Sequence, residues 1–209
     1  MIYAPLHNHS EYSALDGLST CREIAERAVE LGCPCCGITD HGTVAGHLEF
    51  AKATAKVGVK PIFGTELYHA VKPKGFSGWT RNERDQAHFV VGAMTNEGLR
   101  NLWRLNDVAS TNFRYAPRVT WDDLKGFGDG LFATSACIQG LVPQSIIKGE
   151  HLSALDNYLE IFGDNFYIEL HTYPGPEHEQ LNLQLAQLAQ ERGIGMVYAN
   201  DAHFAYPNQ

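Results

Sequence analysis

Two short motifs near opposite ends of the chain, His7-Asn8-His9 and Asp201-Ala202-His203, are built from side chains that hold metal ions. Each stands where an alternating apolar run stops, and residues two apart on an extended segment share a face. Further groups of the same chemistry lie at expected strand boundaries between them. These are Asp16 in Ser13-Ala-Leu-Asp-Gly17, His41 in Thr39-Asp-His-Gly42, Glu66 in Gly64-Thr-Glu66, His88 just ahead of Phe89-Val-Val, and Cys137 in Ser135-Ala-Cys137. Imidazole, carboxylate and one thiol suit zinc, manganese or iron, and do not suit calcium or magnesium alone. Nine candidates are too many for one tetrahedral ion and are about right for two or three ions sharing bridging groups. His88 fits the pattern least well, because it precedes its strand where the others follow theirs. His47, His69, His151 and His178, taken singly, read as ordinary core or surface histidines.

The elements that must position these groups alternate along the chain. Strands are expected at 2–6, 36–39, 60–68, 89–94, 131–135, 166–170 and 196–199. Amphipathic helices fall between them. Thr20-Cys-Arg-Glu23 is a capping box opening one, with Ile24, Ala28 and Leu31 on its apolar face. Leu99, Leu102 and Trp103 mark a second, Leu152, Leu155, Leu159 and Phe162 a third, and Leu181, Leu185 and Leu188 a fourth that stops at Gly193. Such alternation predicts an α/β fold with a mostly parallel sheet. Seven strands with polar residues just past their ends suit a barrel with its site at the C-terminal rim. An open doubly wound sheet is the alternative, but it rarely brings its first and last strand ends to one site. One stretch, 72–84, breaks the alternation: it is basic, rich in Gly and Pro, and carries Phe76 and Trp79. It reads as a solvated insertion, or as a flap that contacts phosphates or stacks a base, with Arg81 and Arg84 as its cations.

Composition narrows the class. The chain has 209 residues, 44% of them hydrophobic, and a formal net charge of −8. A protein gripping nucleic acid by charge alone would usually be basic, so any such contact is local or metal-mediated. Clustered acids around several divalent ions would account for part of the negative charge. No apolar run is long enough to span a membrane, and the start, Met-Ile-Tyr-Ala-Pro-Leu-His, lacks the basic and apolar regions of a secretory signal. A cytoplasmic location and no membrane partner are expected. The five cysteines, Cys21, Cys33, Cys35, Cys36 and Cys137, are odd in number, which argues against a disulfide framework. Cys33-Pro-Cys-Cys36 reads as small buried residues entering a strand, not half a zinc site.

Taken together, these motifs resemble those of the PHP (polymerase and histidinol phosphatase) superfamily. Tyr12-Ser-Ala-Leu-Asp-Gly17, Thr39-Asp-His-Gly42, Lys60-Pro-Ile-Phe-Gly-Thr-Glu66 and Pro117-Arg-Val119 have the wording of the branch at the N-terminus of bacterial DNA polymerase III alpha subunits. The resemblance implies a single PHP domain over 1–209, folded as a distorted seven-stranded (βα) barrel with a trinuclear site at the C-terminal rim of the strands. It implies one ion on His7, His9, Glu66 and Asp201, a second on Glu66, His88 and Cys137, and a third on Asp16, His41 and His203. Water bridging two such cations is acidified toward neutral pH, which makes Glu66, His9 and Asp201 the residues closest to the chemistry. Asp40 is expected to orient His41 or to serve as a turn residue, and Glu169 and His171, ending the sixth strand, to face the rim. There His171 either touches a substrate phosphate or is simply exposed.

Three functions follow as expectations. One is a metal-dependent 3′→5′ exonuclease or proofreading-type phosphodiesterase acting on a single-stranded DNA 3′ end, beside polymerase or replisome components. The second is a phosphomonoesterase of phosphorylated small molecules. The third is a metal-stabilised structural module of a polymerase. A chain of this length has no room for a polymerase's own palm, fingers and thumb.

Overall fold

The computed structural model describes residues 3–14, 16–78 and 85–209. Seven strands are formed among them: β1 (Cys35–Ile38), β2 (Lys60–His69), β3 (Ala87–Ala93), β4 (Arg118–Val119), β5 (Leu131–Thr134), β6 (Phe166–His171) and β7 (Gly195–Ala199). Seven helices accompany them: α1 (Cys21–Glu30), α2 (His47–Val57), α3 (Asn96–Thr111), α4 (Trp121–Phe127), α5 (Leu141–Lys148), α6 (Ser153–Phe162) and α7 (Pro176–Arg192). The sheet runs β1-β2-β3-β5-β6-β7, with β4 paired to the end of β2. It is an α/β fold with a curled, half-barrel sheet, as the alternation of strands and helices requires.

The expected parallel sheet needs one correction. Strand β3 runs antiparallel to both β2 and β5, whereas the β1–β2, β2–β4, β5–β6 and β6–β7 pairs are parallel. The start of β3 therefore lies at the end of the sheet where its neighbours finish. This is why His88 precedes its strand and still belongs with residues that follow theirs.

The expected strand at 2–6 is the second correction. Residue 2 lies outside the described residues, and 3–6 form no named strand. The chain from 5 to 9 bridges the two ends of the sheet instead. On one side Gly37 N–H donates to Pro5 O at 2.7 Å and Thr39 N–H to Asn8 O at 2.9 Å. On the other His9 N–H donates to Ala202 O at 2.8 Å and Ala202 N–H to His7 O at 3.2 Å. Gly37 permits the close approach: a Cβ there would sit 2.4 Å from the carbonyl oxygen of Leu6. The two-residue strand β4 is too short to give a periodic signal and was not expected from the sequence.

Alternation along β2 separates structure from chemistry. Leu67 packs outward in the main core with Phe89, Val91, Leu102, Leu105 and Ile168, while Glu66 and Tyr68 take the opposite face. A second cluster under α1 and α2 holds Ile24, Ala28, Phe50 and the cysteines Cys21, Cys33 and Cys36, so those thiols serve as small apolar side chains. The Thr20–Glu23 capping box forms, and α7 ends at Gly193 with φ 66°. Leu31, expected on the apolar face, is instead the exposed C-cap of α1. Trp103 is half-exposed and donates its indole N–H to His47 Nδ1 at 3.3 Å.

Gly37→Ala is predicted to lower unfolding stability by about 1–3 kcal/mol in a urea titration, because the added methyl drives the 5–9 segment off β1. Gly126→Ala, at a helical position with nothing within 4 Å of the added atom, should be neutral or stabilising.

Candidate metal centre

The nine candidate ligands arrive from seven places in the fold. His7 and His9 come from the bridging segment and Asp16 from the turn after it. His41 follows β1 and pairs by an isolated bridge with Glu66. Glu66 lies within β2, His88 opens β3, Cys137 follows β5, and Asp201 and His203 follow β7. Two backbone conformations aim these side chains. Asp201 (φ 46°) and Ala136 (φ 56°) both adopt the left-handed region. That region is tolerated by Asp and costs roughly 1–2 kcal/mol for Ala, and it turns the chain sharply before Cys137.

All nine converge on one cluster around Glu66, which is fully buried. His7 Nε2 stands 3.6 Å from Glu66 Oε1 and 3.3 Å from Asp201 Oδ1. His9 Nε2 stands 3.6 Å from Glu66 Oε2 and 3.0 Å from Asp201 Oδ1. Four ligands about 2.05 Å from a tetrahedral ion stand roughly 3.3 Å apart, so these four groups have the spacing of a coordination shell. His88 Nδ1 is 2.8 Å from Glu66 Oε1, with Cys137 Sγ 3.5 Å from the same nitrogen. His41 Nδ1 is 2.7 Å from Glu66 Oε2, and its Nε2 is 3.3 Å from Asp16 Oδ2. His203 Nε2 is 3.6 Å from that Asp16 oxygen. The rings of His9 and His203 stack with centroids 4.3 Å apart.

The protonation pattern follows from the hydrogen bonds. Ser13 Oγ donates its single proton to Asp40 Oδ1 at 3.0 Å, so it accepts from His9 Nδ1 at 2.9 Å. His9 Nε2 is then a lone pair facing carboxylates. His7 Nδ1 donates to Glu169 Oε1 at 2.6 Å, which leaves its Nε2 facing the same two carboxylates. His203 Nδ1 donates to the Asp201 carbonyl at 2.9 Å, turning its Nε2 toward Asp16. In these neutral tautomers lone pairs of imidazole and carboxylate face one another, so a proton or a cation must stand between them. Glu66 Oε1 and Oε2, His7 Nε2 and His41 Nδ1 are buried without a hydrogen-bond partner. Acceptors gathered this way are satisfied together by a cation, so the cluster could hold divalent ions.

The local field has the same cause. Burial disfavours charge on His7, but Glu169 and then Glu66 outweigh it and raise its pKa well above the ordinary value. For His9 burial prevails over the bond to Asp201, and its pKa falls. Burial would raise Glu66, yet His7 and the other imidazoles hold its carboxyl well below the usual range. Asp201 is lowered in the same way, burial being outweighed by His9 and His7. Burial, then Glu66 and Asp201, push the Cys137 thiol well up; a thiolate there needs a cation beside it.

Three expectations from the sequence change in detail. Asp40 does not touch the His41 ring; it accepts from Ser10 N–H, Ser10 Oγ and Ser13 Oγ, and so steadies His9 through Ser13. The orienting carboxylate is Glu169, which also accepts from Thr134 Oγ1. Its signal was present as a charged residue inside the apolar strand Phe-Tyr-Ile-Glu-Leu-His. His171 is neither exposed nor at the open rim. It is buried behind Glu169, with Nε2 3.2 Å from Oε1 and the Tyr173 ring stacked on it at 5.5 Å. Arg81 and Arg84 lie outside the described residues. Sequence reasoning missed Tyr68, since a lone Tyr carries no motif, and missed the bond of Ser13 to His9, which the motif around Asp16 does not reveal.

Comparison with known proteins bears on the family and the fold. The PHP domain family model matches residues 5–173. A protein named DNA polymerase III subunit alpha from Borreliella burgdorferi is 34% identical over 203 residues, covering 95% of this chain and 18% of that protein. Its namesake from Deinococcus radiodurans is 35% identical over 218 residues, covering 97% and 16%. The chain thus spans less than a fifth of the length of these curated relatives. Among solved structures, a Bifidobacterium adolescentis protein called a metal-dependent phosphoesterase superposes with a TM-score of 0.64 at 19% identity, covering 100% of this chain and 90% of that one. An amidohydrolase from Chromobacterium violaceum gives 0.62 at 16% identity, covering 96% and 87%. At those identities the likeness is one of fold.

Glu169→Gln is predicted to keep the fold while weakening manganese binding about 10–100-fold by calorimetry, as loss of an outer carboxylate does. Stripping metal with a chelator should lower the melting temperature of the native sequence more than that of Glu66→Gln.

Proposed function

The chain belongs to the PHP domain family, and on that premise we propose that it is a metal-dependent phosphoesterase that shortens single-stranded DNA from the 3′ end. Its likeness to polymerase III alpha proteins over nearly its whole length supports a setting beside a replicative polymerase. In this reading the curled sheet is a distorted seven-stranded barrel whose C-terminal rim carries the centre. The observation that carries the proposal is the buried Glu66, with imidazole nitrogens beside both oxygens and no hydrogen bond to either.

His7, His9, Glu66 and Asp201 would hold one ion, Glu66, His88 and Cys137 a second, and Asp16, His41 and His203 a third. Two or three divalent ions of zinc, manganese or iron, when bound, supply Lewis-acid neutralisation of phosphoryl charge. The chain's own part is preorganisation. Glu169 fixes the His7 ring by a 2.6 Å bond and Ser13 fixes His9, so neither must reorganise as charge develops. Glu66, joining two groups of ligands, together with His9 and Asp201, is the residue on which turnover depends most. The acidic character of the chain, −8 overall, suits recognition of a phosphate through bound cations in place of a basic groove.

Manganese-loaded or zinc-loaded protein is expected to shorten 3′-labelled single-stranded DNA stepwise. Glu66→Gln and His9→Ala should each reduce kcat/KM at least about a hundredfold, a loss of about 2.7 kcal/mol in transition-state stabilisation. Hydrolysis of p-nitrophenyl phosphate with the DNA left intact would replace the exonuclease with a small-molecule phosphomonoesterase. Bound ions with turnover of neither substrate would leave a structural module.

A further inference from the structure

We propose that Tyr68 is a substrate-binding residue of this centre, donating its phenolic hydrogen to an oxygen of the phosphoryl group. The inference rests on the phosphoesterase reading and names a contact within it.

Tyr68 lies two residues past Glu66 on β2, so strand alternation sets both on the face that carries the centre. It pairs directly with His88 across the antiparallel β2–β3 ladder. Two candidate ligands hold its ring in place. The imidazole of His41 lies nearly parallel to it, 24° between planes at 6.0 Å, and that of His88 meets it edge-on, 89° at 5.3 Å. The side chain is half-buried, and its hydroxyl has no hydrogen-bond partner among the described residues. The hydroxyl is not among the buried unpartnered atoms, so it is open to solvent and to a ligand entering the site. The ring is fixed by neighbours and the polar tip is left for something that arrives.

The chemistry of the surroundings selects what arrives. Besides the imidazoles of His41 and His88, the groups that act on the phenol are Glu66, Asp16 and Cys137, all of them acceptors or anions. Every ion-pair partner of Glu66, Asp16 and Asp201 among the described residues is an imidazole. A lysine or arginine amid such a cluster would compete with metal ions for the carboxylates. A neutral hydroxyl does not compete, and it supplies a directional donor to an anion's oxygen once the carboxylates are engaged.

The test uses the full chain and its Tyr68→Phe variant, which removes the hydroxyl and keeps the ring. Manganese binding by calorimetry and the melting temperature should match the native sequence. Inorganic phosphate, titrated into manganese-loaded protein, should bind Tyr68→Phe about tenfold more weakly, as loss of a hydrogen bond to a charged group predicts. The kcat/KM for phosphoester hydrolysis should fall by a similar factor. Unchanged phosphate affinity, or no phosphate binding by the native protein, overturns the proposal. Loss of manganese from Tyr68→Phe also overturns it, making the tyrosine a support for His41 and His88. If the native protein binds phosphate through Tyr68 yet hydrolyses no ester, the contact stands and the phosphoesterase reading falls. Hydrolysis by the native protein that is undiminished in Tyr68→Phe leaves the phosphoesterase reading standing and removes Tyr68 from it.

Discussion

A carboxylate buried with no proton to accept is the constraint around which the rest of this molecule is arranged. Glu66 is removed from water, and both of its oxygens face imidazole nitrogens without a hydrogen bond. An isolated carboxylate in that position would be strongly destabilising, and it would respond by binding a proton. Here the surrounding imidazoles hold the carboxyl well below its usual range, so it remains an anion. A divalent cation can take the place of the imidazole protons and engage the carboxylate and the neutral rings together. Apolar packing would stabilise the same position more simply.

The backbone yields to that constraint in several places. Strand β3 is reversed within a sheet whose other strands are parallel, and the reversal brings His88 to the same end as Glu66. The 5–9 segment forgoes a regular strand and bonds to both ends of the sheet, which carries His7 and His9 inward. Ala136 and Asp201 adopt left-handed conformations beside the centre. Such departures are sustained where a well-packed core surrounds them, and β2 supplies both parts by turning Leu67 to the core and Glu66 to the site. Around the ligands stands an outer set that fixes protons in place: Glu169 for His7, Ser13 and Asp40 for His9, the Asp201 carbonyl for His203. Each satisfies one nitrogen of a ring and thereby decides which nitrogen looks inward.

The same arrangement bears on the acidic character of the chain. Its negative charge is concentrated partly among the candidate ligands, so the charge of a loaded site would be set by its ions more than by lysines and arginines. The chain is similar to polymerase III alpha proteins over less than a fifth of their length.

Much was legible in the residues alone. Residue type and order marked the nine candidate ligands, because imidazole, carboxylate and thiol at successive strand boundaries have few other reasons to recur. Periodicity marked four of the helices and most of the strands, since burial of one face imposes its period on the chain. What only the tertiary structure decided was direction and contact. The reversal of β3 is expressed only in its pairing with β2 and β5, long-range contacts that local pattern does not record. Asp40 stands next to His41 in sequence yet supports His9, because the turn after β1 aims its side chain back at Ser10 and Ser13. Glu169 is 162 positions from His7 and touches it. Neighbours along the chain are fixed by covalent bonds; neighbours across the site are fixed by packing, and the chemistry of this centre lies in the second kind.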